Sequence, residues 1–125
     1  MTKDKMNELL ADAVIRFNES LGLNMTKGVI KLLPTETASR SIMAREEDAF
    51  LNTRNALMEC GKVISEDRDS GYIEGIIFAG VANMNAAVVV MTVQASVILI
   101  YAYAKEGLIK QHTAEKAIER FISSL

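Results

Sequence analysis

Between Lys3 and Leu21 the apolar residues Met6, Leu9, Leu10, Ala13, Val14, Phe17 and Leu21 recur at intervals of three and four, with Lys5, Glu8, Asp12, Arg16 and Glu19 between them. This is the period of a helix with one apolar stripe, and Gly22 stands where a C-terminal glycine cap belongs. The pattern predicts an amphipathic helix over residues 1–22. Its polar face mixes both signs of charge, whereas a helix lying on a membrane is rich in Lys and Arg there, so it reads as packed on protein. From Leu23 to Ala38 the periodicity fades, and Pro34 breaks the short apolar run before it, which makes residues 23–38 a connector. SRSIMA, from Ser39 to Ala44, reads as a short strand. Arg45 to Cys60 returns to helical spacing, with Ala49, Phe50, Thr53, Ala56, Leu57 and Cys60 on one stripe and Gly61 as its stop.

KVIS and YIEGIIF flank EDRDSG, the pattern of a hairpin with a loop longer than two residues. Within the second strand, Gly75 marks a bulge or a close backbone approach. The run AAVVVMTVQASVILIYAYA, Ala86 to Ala104, carries no charge and is long enough to span a bilayer as a helix. Its β-branched residues favour strands, and Thr92, Gln94 and Ser96 would place three polar groups at the bilayer centre. No Lys or Arg lies between Arg68 and Ala86, so the basic flank of a membrane span is missing on that side. The run therefore predicts two strands, near Ala87–Val93 and Val97–Tyr103, joined by a turn and apolar on both faces. Such a sheet needs cover on both sides, from helices, a second subunit or a ligand. Ala114, Ala117, Ile118, Phe121, Ile122 and Leu125 set out a last helix with Thr113 as its N-cap.

Strands in one consecutive block, with helices before and after, predict an α+β domain with an antiparallel sheet of about four strands packed against amphipathic helices. The 125 residues, half of them hydrophobic, suit one domain with residues 39–125 as the α+β core. A net charge of −2, with 14 Lys and Arg against 16 Asp and Glu, lacks the basic footprint of a nucleic-acid binder. The single cysteine excludes an internal disulfide and points to a reducing compartment, and MTKDKMNELL has charges where a signal peptide needs an apolar run. These features predict a cytoplasmic protein without a membrane span.

Candidate chemistry is sparse. A Cys–His pair would have to be Cys60 with His112, but Cys60 falls at a helix C-terminus, where the dipole opposes a thiolate, and reads as a buried apolar residue. His112 has no Cys or carboxylate ligand near it in sequence and reads as a surface or capping residue. Asp67-Arg68-Asp69-Ser70-Gly71 resembles the start of a calcium loop, but its glycine comes one position early and no bidentate Glu follows at the right distance. No catalytic, metal or cofactor residues are expected.

AFLNTRNALMECGKVISEDRDSGYIEG resembles the helix, glycine, strand, acidic turn and strand unit of small helix-grip domains, found in outer-membrane assembly lipoproteins and several uncharacterised bacterial families. The resemblance covers about a fifth of the chain and implies an antiparallel sheet wrapped around a helix. It defines no functional residue, and the lipidation cysteine of the lipoproteins is missing here.

The surplus of apolar positions predicts a non-catalytic binding or assembly module that forms a homo-oligomer. Its contact surface is expected among Leu9, Leu10, Val14 and Phe17 of the first helix and Val88, Val90, Leu99 and Tyr101 of the hairpin. The alternatives are a binder of a small apolar ligand, in a cavity between sheet and helix with Tyr72, Tyr101 or Tyr103 at its mouth, and an enzyme whose site these patterns do not reveal.

Overall fold

A computed structural model of the chain describes residues 1–20, 33–44, 48–80, 85–106 and 111–125; the side chains of residues 13, 14 and 16–20 lie outside that description. Its elements are α1 (Lys3–Ser20), β1 (Thr35–Met43), α2 (Ala49–Cys60), β2 (Gly61–Asp67), β3 (Tyr72–Ala79), β4 (Asn85–Gln94), β5 (Val97–Lys105) and α3 (Thr113–Ser124). The strands form one sheet in the order β1-β5-β4-β3-β2, with every neighbouring pair antiparallel. β2 to β5 are a meander of hairpins, and β1 joins its far side along β5.

The α+β class is the one the pattern predicts. The short strand read over Ser39–Ala44 starts earlier, at Thr35 inside the segment read as connector, and pairs with β5 along its whole length, so it adds a fifth strand to the expected four. Alternation is weak in TETASRSIM, whose positions are all exposed or half-buried, as suits an edge strand. The rest of the connector, residues 23–32, lies outside the described residues.

β4 and β5 account for the uncharged run: they pair from Ala87↔Ala104 to Gln94↔Val97, and Ala95 turns the chain in the left-handed region at φ 53°. Among the described residues no helix is long and apolar enough to cross a membrane.

Alternate side chains of the sheet go to opposite faces. Ile73 and Ile77 of β3, Val89 and Met91 of β4, and Ile98 and Ile100 of β5 face α2 and α3, whose Leu57, Ile118 and Phe121 complete the main core. All of these are at most 1% exposed, and each contributes about 1.5–3 kcal/mol by leaving water. Gly75 belongs to this face for a steric reason. A Cβ there would lie 2.6 Å from both Leu57 Cδ2 and the Lys62 carbonyl oxygen, and the β2–β3 register shifts opposite it, between Val63 and Ser65. Bulge and close approach, the two readings of this glycine, coincide.

α1 lies on the second face, where Met6 and Leu10 pack with Ile76, Ala86, Val88 and Tyr103. Thr2 caps the helix, its hydroxyl accepting from Lys5 N–H at 3.1 Å. α2 starts at Ala49, with Asp48 Oδ1 accepting from Leu51 N–H at 3.0 Å. Arg68 in the β2–β3 turn pairs with Asp48 at 2.7 Å and lies over the Phe50 ring. The Leu51 N–H, and then Arg68, hold the exposed Asp48 carboxyl below its ordinary range. Thr113 is the first residue of α3 and not its N-cap. His112 holds the cap position in the left-handed conformation with no side-chain capping bond. The Glu106 carboxylate caps α3 in its place, accepting from the N–H groups of Thr113 at 2.8 Å and Gln111 at 3.1 Å.

Candidate functional site

The second face of the sheet is only partly covered by the described residues. α1 packs over β4 and β5 near Val88 and Tyr103, while the corner toward the β4–β5 turn stays open. There Met43 of β1 is 70% exposed and Leu99 of β5 52% exposed, beside half-buried Val97, Val90 and Tyr101. The strand registers put these residues on one face: Met43 opposite Val97, and Tyr101 opposite Val90.

Of the positions expected at a contact surface, Leu99 is open to solvent, while Val90, Tyr101 and Leu9 are half-buried. Leu10 and Val88 are fully buried. Both are taken up by packing between α1 and the sheet, since the helix covers the very strand face whose double-sided apolar pattern demanded cover. The side chains of Val14 and Phe17 lie outside the described residues.

Tyr72, Tyr101 and Tyr103, the expected polar tips, share this face. Tyr103 is buried and donates to Asn7 Oδ1 at 2.8 Å, tying β5 to α1. Tyr72 accepts from the Met1 amino group at 3.2 Å. Burial first, and then the negative charge of Glu74, pushes the Tyr72 hydroxyl above its ordinary pKa. Glu74 is 8% exposed, and its Oε2 is fully enclosed without a hydrogen-bond partner among the described residues. A buried carboxylate oxygen left unpaired is costly, so this is the least satisfied group on the face. Alternation along β3 turns Glu74 away from the main core, but its burial depends on the layer above, which sequence does not show.

At the end of the sheet that carries α3, Glu36 of β1 lies beside Glu106, and a hydrogen bond joins the two carboxyls. Burial first, then Glu106, raises Glu36. Burial works against the charge of Glu106 too, but the bonds from Glu36, Thr113 and Gln111 outweigh it and lower that carboxyl. Of the two, Glu36 is therefore the carboxyl that takes up a proton more readily. Ligand atoms of Glu36, His112 and Glu115 lie within 4.8 Å of one another, so His112, read as free of carboxylate neighbours, has two. Glu36 came from a strand read as connector, and no spacing in the sequence links it to His112. This trio is a loose donor set: Glu36 already accepts from the Glu115 N–H and binds Glu106, and His112 and Glu115 are exposed.

Cys60 is buried, with its thiol donating to the Ala56 carbonyl at 3.3 Å. Burial pushes the thiol up, which disfavours the nucleophilic thiolate. Arg120 and Ser124 of α3 lie near it, whereas His112 sits with Glu36 and Glu115 at the start of that helix, so the structure does not bring the two together as a pair. Asp67 to Gly71 make the hairpin turn: Asp67 Oδ1 accepts from Asp69 N–H at 3.1 Å, and Gly71 is left-handed at φ 71°. Comparison of the chain with known protein families, characterised proteins and solved structures finds no match.

Proposed function

We propose that this chain is a non-catalytic assembly module that works as a homo-oligomer in the cytoplasm, using the open corner of the second sheet face as part of its contact surface. The carrying observation is the exposure of Met43 and Leu99, 70% and 52%, next to half-buried Val97, Val90 and Tyr101. Apolar side chains gathered on one side of a sheet, and left uncovered by the described residues while the opposite face is filled by two helices, are the mark of a surface that meets another. Light scattering at micromolar concentration tests the proposal. The expected mass is a multiple of 13.7 kDa, and Leu99→Glu should lower it. A monomeric wild-type protein would refute the reading.

The enclosed, unpartnered Glu74 Oε2 favours a second reading, in which this face holds a small apolar ligand with a hydrogen-bond donor directed at Glu74, the tyrosines lining the approach. Native mass spectrometry separates the two: the second reading requires a co-purifying small molecule whose retention is lost in Glu74→Leu.

A further inference from the structure

The two edges of the sheet differ in how they meet solvent. β2 is a guarded edge: its pairing with β3 is broken by a bulge between Val63 and Ser65, and it carries Lys62, Glu66 and Asp67. β1 has neither bulge nor proline and pairs without interruption from Thr35↔Lys105 to Met43↔Val97. Its outward groups can be named. Ala44 N–H donates to the Ser96 carbonyl at 2.7 Å, and Glu106 N–H to the Pro34 carbonyl at 2.8 Å. Both bonds continue the β1–β5 register, so even-numbered residues turn their main-chain groups toward β5. Thr35, Thr37, Ser39, Ser41 and Met43 turn theirs to the open edge, and no described strand pairs with them. An uninterrupted edge of this length, unpaired among the described residues, is a template for another strand.

We infer that this edge pairs antiparallel with the β1 edge of a second copy about a two-fold axis at Ala38, joining two five-stranded sheets into one. The inference rests on the assembly reading above and supplies its interface. Charge selects both the occupant and the register. With Ala38 facing its own copy, Glu36 lies opposite Arg40 of the second copy and Arg40 opposite its Glu36, so one strand carries both halves of a two-fold ion pair. These are non-hydrogen-bonded positions of the new ladder, where facing side chains come closest and opposite charges gain most. Thr35, Thr37, Ser39 and Ser41 fall at hydrogen-bonded positions, and each exchanges two main-chain bonds with its counterpart. Shifting the axis to Ser39 keeps the main-chain bonds but sets Arg40 against Ala38 and Glu36 against Ile42. Arg40 is exposed and has no ion pair among the described residues, and Glu36 lies beside a second carboxyl, that of Glu106, so each gains an opposite charge from the second copy. The pairing also brings exposed Met43 opposite Leu33 of the second copy, which continues the interface into the open apolar corner.

Light scattering, a charge swap and cross-linking test this together. The full chain should have twice the mass of 13.7 kDa. Arg40→Glu should raise the dissociation constant about tenfold, and the double variant Glu36→Arg/Arg40→Glu, which re-forms the pair with its signs exchanged, should recover most of that loss. A merely destabilised fold would not be rescued in this way. Under mild oxidation Ala38→Cys should give a disulfide-linked dimer, because the two Cβ atoms face each other across the axis, and Ser39→Cys should not. A dimer that is indifferent to the charge swap and unlinked through Ala38→Cys would overturn this interface and leave the assembly reading standing. A monomer would overturn both.

Discussion

The two faces of the sheet are built from the same kinds of residue to different ends. On the face under α2 and α3, small and branched side chains interlock with Leu57, Ile118 and Phe121, and the buried polar groups there are satisfied, as when the Thr53 hydroxyl donates to the Ala49 carbonyl at 2.7 Å. Among the described residues, the face under α1 has one helix, a buried glutamate with an unpaired oxygen, tyrosines tied to the N-terminal segment by single hydrogen bonds, and an open apolar corner. Close packing makes the first face expensive to change, and among the described residues the second face carries the lighter cover. A strand that reads apolar on both sides therefore records a need for cover without saying that the two covers are alike.

The largest effect that would break this contrast is expected at Phe121. It is fully buried where α3 meets the sheet, and Phe121→Ala should cost about 3–5 kcal/mol, a large part of the stability of an ordinary domain. Guanidinium denaturation followed by circular dichroism measures it. Leu10 is equally buried, on the other face. Leu10→Ala should cost less, about 2–3 kcal/mol, because a single helix can settle into the space left behind. Hydrogen exchange should show α1 opening before the sheet. Equal costs, or an α1 that opens only with the whole domain, would mean that the faces are one cooperative unit.

The next prediction has the opposite sign. Replacing a buried, incompletely paired carboxylate by an apolar residue of similar size removes a desolvation cost, so Glu74→Leu should stabilise the chain by about 1–3 kcal/mol. Thermal melts of both proteins decide it. A destabilised variant would show that Glu74 has a compensating partner and that the second face is as fully satisfied as the first.

How much of this was legible in the sequence follows from the range of the forces involved. α2, the hairpin turn at Asp67–Gly71 and the β4–β5 pair rest on local periodicity and turn chemistry, and the pattern of apolar residues placed them within a few residues. Gly75 announced its bulge because only a missing Cβ allows Leu57 and the Lys62 carbonyl so close. β1 was read short because an edge strand buries little, so its alternation is faint, and its partner β5 lies some 60 residues away by the register Ser39↔Tyr101. The cap of α3 was misplaced for a similar reason. Thr113 has the right chemistry, but Glu106, brought in by the end of β5, reaches the same N–H groups. The Glu36–Glu106–His112–Glu115 cluster and the open corner at Met43 and Leu99 are products of strand order, which no local signal in the chain encodes.

The smallest effect tests whether the polar end of the sheet belongs to the satisfied face. Glu36 has a raised pKa in the folded chain, so it binds more proton there than when unfolded, and its contribution to stability falls as pH rises above the ordinary carboxylate value of 4.5. Glu106 is lowered, so its contribution falls as pH drops below that same value. Together the two opposite shifts stabilise the fold most near pH 4.5 and less on either side. Glu115 at the start of α3 lies nearby, and its N–H and the charge of His112 work to lower Glu36. Glu36→Gln supplies a permanent donor to Glu106 and removes the upper limb, so in the dissociated chain the variant should gain on the wild type as pH rises above 4.5. Glu36 is only half-buried, which limits the gain to about 0.5 kcal/mol. Urea denaturation at pH 4.5 and pH 7 measures the difference between the two proteins. A difference that does not change with pH would show that the two carboxyls share no proton, and that this end of the sheet, like Glu74 on the second face, holds its charges without internal compensation.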